Sequence, residues 1–457
     1  MFFEKIKVSP RILQVNKSCC ISGRFYEIPR DFQIGEPARL FLKYVPLSGI
    51  DRDGSVIPRS DLHDVACEFK DDGTFSFEFT PPEEGEFRFQ LCIDRGNWNS
   101  VLGKFECYAL EDDLFELRPL KGDTHVHSSW SACAGVDQEP AYISTQFRRR
   151  GMDFIFITDH SKRYPSVMAI QKMSSFDSNF KIYPGEECHV PYRYLDDRTF
   201  LYNATVLKGV HHLSLGADRS VVEYANEHFE EYTRDIEKRM AALPAEISKD
   251  QRQLMAGVDW LVEKIHEFGG IAIFAHPFWK TNDRLNLPPK VREYIFDTGK
   301  FDAVELIGLG SGDNKPEFYG SIVECISWLH DKSVKTGRHI PVTGATDSHH
   351  AASMAGSHYT MAFVKENTLE EIQRAIVNGK TLACRHFSTE NPFYWGEFRL
   401  VTYAEFLQRN FFPEHDAVCD VEGQLMAQAL RGEIPFDVVN AVTKEGIEKL
   451  YRSYWAE

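Results

Sequence analysis

Histidines and carboxylates stand, segment after segment, where the apolar runs of this chain end. They are His125 and His127 in Gly122-Asp-Thr-His-Val-His, Asp159 and His160 in Thr-Asp-His, Glu187 in Gly185-Glu-Glu-Cys-His, His211 or His212, His276 in Ala-His-Pro, and Asp347 and His349 in Thr-Asp-Ser-His. Packing asks for no polar group at the end of so many buried runs. Neutral imidazole with carboxylate is, however, the donor chemistry of a multinuclear transition-metal site. A fold open to this chain must therefore bring residues as distant as His125 and His349 to one place. Strand ends converge in that way in a parallel βα architecture, and the chain reads as a metallohydrolase.

The runs themselves support that architecture after Leu120. Phe154-Ile-Phe-Ile is apolar on both faces, as a strand buried in a parallel sheet must be, and it follows a helix-like stretch ending in Arg148-Arg-Arg-Gly151. Ile271-Ala-Ile-Phe-Ala, Ala303-Val-Glu-Leu-Ile and Ile340-Pro-Val-Thr repeat the pattern, which implies a βα barrel or an open α/β sheet. Before residue 117 the grammar differs. Phe75, Phe77 and Phe79 alternate at period two, and Thr80-Pro-Pro-Glu-Glu-Gly turns the chain into Gly85-Glu-Phe-Arg-Phe-Gln-Leu, which predicts a small antiparallel β-sandwich over 1–117. A charge-rich helical region over about 221–268, broken near Leu243-Pro-Ala, is expected to be a solvated insertion in preference to a lid. The barrel is expected over 118–387, followed by a helical extension over 388–457 packed on it.

Composition narrows the function. At 457 residues, 43% apolar and 26% charged, the chain has material for two or three soluble domains. A formal charge of −16 opposes a polyanion, so a small-molecule substrate is favoured and nucleic acid is not. No run of about 18 apolar residues exists and the first residues lack a signal-peptide core, so the expectation is cytoplasmic, without a membrane partner. The ten cysteines show no Cys-x-x-Cys spacing and suit reduced thiols, Cys133 and Cys188 being notable for lying beside candidate ligands. Nothing in the composition specifies an oligomeric state.

Local spacing assigns directions to several of these groups. Residues two apart on a strand point the same way, so His125 and His127 can reach one ion while Val126 faces the core. One of Glu186 and Glu187 should face inward together with His189, and a carboxylate there suits bridging two cations about 3.5–4 Å apart. Only one of His211 and His212 can face the site. His276, before Pro277, is expected in an extended conformation. Asp347 and His349 repeat the two-residue spacing, and an aspartate at that place can bridge metals, orient water or protonate a leaving group.

Taken in order, His-x-His, Thr-Asp-His, Gly-x-Glu, a following His, His-Pro and Asp-x-His resemble the motif series of the PHP (polymerase and histidinol phosphatase) superfamily over about residues 120 to 387. The resemblance implies a distorted (β/α)7 barrel that binds two or three divalent ions (Zn, Mn or Fe) through His125, His127, His160, Glu187, His211, His276, Asp347 and His349. His211 is preferred because Val210-His-His-Leu-Ser-Leu-Gly is similar to the family's Val-His-x-Leu-x-apolar-Gly strand. Gly122-Asp-Thr-His-Val-His behind a β-rich domain looks most like the branch that includes the carbaryl hydrolases. One departure stands out. Where the family commonly reads Ser-Asp-Gly, this chain has Ser131-Ala132-Cys133, and Cys133 falls where some members place a histidine. Its thiolate could ligate zinc or iron, or the residue is buried and inert.

Metal-assisted hydrolysis of a phosphate ester on a small metabolite is the leading expectation, with Asp347, Glu187 and His349 as the catalytic groups and Lys162, Arg163, His189 and Lys280 as clamps for an anionic substrate. Hydrolysis of an ester, amide or carbamate at the same centre is the alternative. A metal-stabilised binding module without turnover is a third.

Overall fold

The computed structural model of the protein describes residues 6–26, 39–47, 62–70, 72–94, 99–190, 210–281, 284–285, 287–307, 316–386 and 391–456. The chain divides into two compact units. One comprises Met1–Leu117, Thr402–His415 and Glu445–Glu457, and the other Arg118–Val401 and Asp416–Lys444.

The first unit holds two sheets. A four-stranded antiparallel sheet has the order β1 (Ile6–Ser9), β3 (Cys19–Phe25), β7 (Thr74–Phe79), β6 (Glu68–Phe69). A five-stranded sheet runs β2 (Ile12–Gln14), β9 (Asn99–Leu110), β8 (Gly85–Asp94), β4 (Arg39–Pro46), β5 (His63–Val65). The period-two phenylalanines Phe75, Phe77 and Phe79 are buried in one core with Phe87, Phe89 and Phe105. Phe89 stacks on Phe105 at 5.0 Å and meets Phe79 edge-on at 5.1 Å, arrangements worth about 0.5–1.5 kcal/mol each beyond the area they bury. The unit departs from a purely antiparallel plan at β2, which pairs in parallel with β9. It also takes in residues 402–415 and 445–457, where a single extension packed on the barrel was expected. The Arg11 amide donates to the Tyr454 carbonyl at 2.8 Å, the Ala456 amide to Ile12 at 2.9 Å, and the Arg11 guanidinium to Asn410 Oδ1 at 2.8 Å.

The second unit is a mixed α/β fold around a ten-stranded, nearly closed, barrel-like sheet. Its order is β18 (Val342–Gly344), β17 (Ala303–Ile307), β14 (Ile271–Phe274), β13 (Val210–Leu215), β12 (Lys181–Val190), β11 (Phe154–Ile157), β10 (Arg118–Val126), β19 (His358–Val364), β20 (Thr381–Arg385), β21 (Phe393–Trp395). A two-stranded ribbon, β15 (Lys280–Thr281) with β16 (Arg284–Leu285), stands apart. Every residue of β11 is buried between parallel neighbours, as its two-sided apolar run predicts.

The sheet is not uniformly parallel, which sequence patterning left unseen. β13 runs antiparallel to both β12 and β14, and β19 antiparallel to β10. The sheet curls until β18 meets β19 and β20, where the Thr360 hydroxyl accepts from the Gly344 amide at 3.0 Å and the Thr381 hydroxyl donates to the Val342 carbonyl at 2.8 Å. A Cβ on Gly344 would sit 2.5 Å from the Tyr359 carbonyl oxygen, so the seam requires glycine. Just beyond β18 the chain returns to β10: Ser348 bridges to Val126, and the His127 amide donates to the Ser348 carbonyl at 2.8 Å.

The charge-rich region over 221–268 is three helices, Val221–Glu227, Phe229–Ala242 and Lys249–Glu267. The last is no solvated insertion. Leu254, Met255, Val258, Leu261 and Ile265 bury one of its faces in the core of this unit, and a Cβ on Gly257 would lie 2.3 Å from Val190 on β12. Apolar residues at helical spacing within a charged sequence have that effect, because the charges occupy only the other face. Among the described residues no helix is long and apolar enough to cross a membrane.

Candidate metal centre

The two-residue spacing at the end of β10 turns His125 and His127 inward together, their Nε2 atoms 3.2 Å apart. The return of the chain after β18 sets Asp347 opposite, with Oδ1 3.3 Å from His125 Nε2 and 3.0 Å from His127 Nε2. Glu187 arrives from β12. Its Oε2 lies 3.5 Å from His125, 3.4 Å from His127 and 2.5 Å from His160 Nδ1, while Oε1 lies 2.7 Å from His211 Nδ1 and 3.3 Å from His276 Nε2. His349 Nδ1 contacts the Asp347 carbonyl at 2.9 Å, and its ring stacks on His127 at 4.3 Å. All eight residues expected as ligands thus gather around Glu187 and Asp347.

His211 is there because β13 runs backwards. Its first residues, not its last, lie beside the end of β12, where His211 pairs with His189. His212 faces the other way, stacked on Phe274 at 5.2 Å with Nε2 3.1 Å from the Lys300 carbonyl. The same alternation separates Glu187 from Glu186, whose carboxylate receives the Ser220 hydroxyl at 2.8 Å and the Val221 amide at 2.9 Å. Burial pushes Glu186 up to about 7, against those hydrogen bonds.

Several roles differ from expectation. His276 is not extended: its φ is +26°, and Asp347 and Ser161 also lie in the left-handed region at +49° and +55°. Such backbone in non-glycine residues costs on the order of 1–3 kcal/mol and persists where surroundings hold it. The Glu305 carboxylate holds His276 through its amide at 2.9 Å, and the Glu187 carbonyl holds Ser161 likewise at 2.9 Å. His189, expected to bind substrate, lies in the cluster itself, stacked on His211 at 4.1 Å with Nε2 2.8 Å from His160 Nδ1. The three cations expected as clamps have partners within the protein. Lys162 donates to the Trp130 carbonyl at 2.5 Å, Arg163 to the Ala217 carbonyl at 2.7 Å, and Lys280 pairs with Glu324 at 2.8 Å. Cys188 is fully buried in the core, whereas Cys133 is exposed and sits by His160 and His349.

The structure adds acids that sequence reasoning passed over. Glu305, fully buried on β17, lies 3.0 Å from His125 Nδ1. Its signal was an acid in the middle of an otherwise apolar strand. Asp123 accepts from the His125 amide at 3.0 Å and the Thr346 hydroxyl at 2.6 Å, joining β10 to the segment after β18. Asp159, counted at first among the metal-binding groups, instead accepts from the Ser128 amide at 2.9 Å and from the Ser128 and Ser131 hydroxyls, both at 2.6 Å. Ser131 in turn meets His127 Nδ1 at 3.0 Å. Outer partners of this kind set the tautomer and orientation of ligand imidazoles.

The charges suit a cation. Burial alone would raise the Glu187 and Asp347 carboxyls, yet His160, His211 and His125 around the first, and His125, His127 and His349 around the second, hold both well below the ordinary range. Burial, with His189 beside it, pushes His211 down to about 3, and burial with His160 and His349 keeps His127 neutral. His160 is pushed up to about 10 against burial, chiefly by Glu187. Two imidazole nitrogens 3.2 Å apart can share only one proton, and Glu187 Oε2 and both ring nitrogens of His211 are buried without an aligned hydrogen bond. Tetrahedral zinc with N ligands at 2.0–2.1 Å sets neighbouring nitrogens about 3.3–3.4 Å apart. The donor set fits divalent metal.

No protein-family model and no curated protein matches the chain. Solved structures do. A two-domain protein from Bacteroides vulgatus containing a predicted PHP-like metal-dependent phosphoesterase overlaps 60% of this chain and 66% of its own, just under two thirds, at 16% identity and a TM-score of 0.39. The lesion-specific endonuclease Q of Pyrococcus furiosus covers 74% of this chain and 91% of its own at 15% identity and a TM-score of 0.34. An amidohydrolase from Chromobacterium violaceum covers 59% and 99% at 15% identity and a TM-score of 0.33. These neighbours lend no support to a place beside the carbaryl hydrolases. At such scores the chemistry of this centre rests on its own geometry.

Proposed function

We propose that the protein is a metal-dependent hydrolase, and specifically a phosphoesterase acting on a small phosphorylated molecule, built on a (β/α)7 barrel behind a β-sandwich accessory domain. The observation that carries the reading is Glu187. One of its oxygens faces His125, His127 and His160 and the other faces His211 and His276, which is the disposition of a carboxylate bridging two cations. On one side His125, His127 and Asp347 complete a donor set, and on the other His211 and His276 do. Bound divalent ions (Zn, Mn or Fe) supply Lewis acidity and a water of lowered pKa.

The chain's own groups do the rest. Glu305 fixes His125 so that Nε2 is the donor atom, and Ser131 does the same for His127. Asp347, half-buried at the rim, can accept a proton from attacking water or orient it, and His349 beside it can return a proton to a leaving oxygen. A small hollow lined by His211, His276, Phe274, Trp279 and Leu287 adjoins the centre and gives it a partly apolar wall. Lys162 and Arg163 follow His160 in sequence and would have to exchange carbonyl partners for an anion.

The test is turnover of a phosphomonoester by protein loaded separately with Mn²⁺, Zn²⁺ or Fe²⁺, with Asp347→Asn as control. Metal-dependent turnover lost in the variant and inhibited by inorganic phosphate is expected. Turnover of carbamates or esters alone would replace phosphoryl with carbonyl chemistry, a second reading supported by Lys162, Arg163 and Lys280 all being engaged within the protein. Because endonuclease Q acts on DNA, an abasic-site duplex belongs in the panel, and its cleavage would overturn the small-molecule reading.

A further inference from the structure

Arg292, on the helix Pro289–Asp297, is a buried charge that the protein leaves poorly compensated. Its exposure is 8%, and Nε and Nη1 are buried without a hydrogen bond among the described residues. The guanidinium carbon lies 4.1 Å from the centroid of the Phe278 ring and 5.7 Å from that of Trp328, so aromatic faces hold the group without using its N–H donors. The acids nearby are already engaged. Glu293 Oε1 is 4.0 Å from Arg292 Nε, but that carboxylate takes the Trp328 indole N–H at 2.8 Å and Lys332 Nζ at 2.5 Å. Glu324 pairs with Lys280 at 2.8 Å. Burial pushes the arginine below its ordinary range, against the attraction of Glu293.

Packing between Phe278 and Trp328 asks only for an apolar side chain, and a buried ion without partners costs free energy. Folded proteins rarely leave such donors unsatisfied, and each that persists calls for an explanation such as an ion. The place of Arg292 is informative. Phe278 lies between Pro277 and Trp279, which with His211, His276 and Leu287 line the hollow beside the candidate metal centre. The cations that follow the ligand motifs, Lys162, Arg163 and Lys280, are spent on protein partners, whereas the Nε and Nη1 donors of Arg292 are not. We propose that Arg292 is an anion-binding position on the flank of that hollow, taking a phosphate-class oxyanion through its unspent N–H donors. Guanidinium donors match phosphate oxygens in geometry as well as charge, and aromatic shielding from water strengthens such charge-assisted hydrogen bonds. Glu293, neutralised by Lys332, opposes the anion less than a free carboxylate would. The inference goes beyond the hydrolase reading and does not need it, because the donors belong to Arg292 whether or not the Glu187 cluster holds metal.

The test titrates full-length, chelator-stripped protein with inorganic phosphate at constant ionic strength in a calorimeter, with chloride as the control for charge alone. The wild type is expected to bind phosphate. Arg292→Met, which keeps a side chain between Phe278 and Trp328 but no charge, should bind it at least about tenfold more weakly. Arg292→Lys, which keeps the charge without the planar donors, should regain only part of that loss. Phosphate should also raise the urea midpoint of the wild type more than that of Arg292→Met. In phosphate-free buffer the midpoint of Arg292→Met should match or exceed that of the wild type, since an unbalanced buried charge is gone. A lower midpoint in that variant, with no phosphate bound by the wild type, would make Arg292 a structural residue and overturn the proposal. Equal phosphate affinity in wild type and Arg292→Met, or binding no better than that of chloride, would overturn it as well. Metal content and phosphomonoester turnover of loaded wild type judge the hydrolase reading separately, so either reading can fail alone.

Discussion

Glu305→Gln is the sharpest probe of how the centre is held, because it changes one oxygen to an amide group within a site that offers no room to adapt. The native carboxylate is fully buried and uses both oxygens, Oε1 at 3.0 Å from His125 Nδ1 and Oε2 at 2.9 Å from the His276 amide nitrogen. A glutamine can be placed in two ways. With its oxygen toward His125, the amide group confronts the His276 N–H, donor against donor, just where φ is +26° and the backbone most needs an acceptor. With its oxygen toward His276, the amide donates to His125 Nδ1, and the imidazole proton must move to Nε2, the atom expected to bind metal. The first orientation leaves a buried donor unsatisfied, at about 1–3 kcal/mol. The second spoils a ligand, and loss of such an orienting partner typically weakens metal affinity by about 10–100-fold. Competition against a chromophoric chelator should therefore show metal affinity reduced by at least about tenfold where the glutamine takes the second orientation, or the apo protein destabilised by about 1–3 kcal/mol in urea where it takes the first. An affinity within about threefold of wild type together with an unchanged urea midpoint would refute the argument, since no glutamine orientation both accepts from the His276 N–H and leaves His125 Nε2 free for metal.

Two further perturbations test the barrel unit away from the centre. Arg148 is fully buried, with Nε and Nη2 on Glu422 at 3.0 and 2.6 Å and Nη1 on Asp153 at 2.9 Å; Glu422→Ala should cost about 3–5 kcal/mol by leaving a buried charge half-compensated, and a urea midpoint equivalent to less than about 1 kcal/mol of change would count against it. His358 on β19 is pushed down to about 3 by burial and then by Arg385. Its folded value lies below the ordinary 6.5, so the stability it contributes is fully present above pH 6.5 and is lost as pH falls toward 3. The slope is about 1.4 kcal/mol per pH unit in that window. Between pH 7 and pH 5.5 the wild type should lose about 1.3 kcal/mol more than His358→Gln, and parallel curves for the two proteins would show that this histidine does not titrate as described.

Much of the candidate site was legible because its spacing is local. His125 and His127, Glu187 and His189, and Asp347 and His349 are pairs two residues apart, and extended backbone alone turns both members of such a pair to one side. The burial of Phe75, Phe77 and Phe79, and of all four residues of β11, follows from the same alternation and from its absence. What could not be read was the part carboxylates would take once inside. Glu187 and Asp347 meet the imidazoles, whereas Glu186, Asp123 and Asp159 satisfy backbone amides and hydroxyls, and nothing in an acid's neighbours along the chain separates these uses. Glu305 was visible as an acid in an apolar strand, yet its purpose appears only when β17 is laid beside β14 and its carboxylate reaches His125 and the His276 amide.

The amino-acid sequence by itself determined the chemistry on offer: imidazoles and carboxylates at the ends of buried runs, a thiol where Cys133 stands, and a charge of −16. The tertiary structure alone decided which of these groups meet. The reversed direction of β13 brings its first residues, and so His211, to the end of β12, and the seam beyond β18 delivers Asp347 and His349 to the end of β10. Both are long-range strand pairings, in which the entropy lost in closing a large loop is offset by burial in a common core. No short window of sequence contains both partners, so its periodicity cannot specify them.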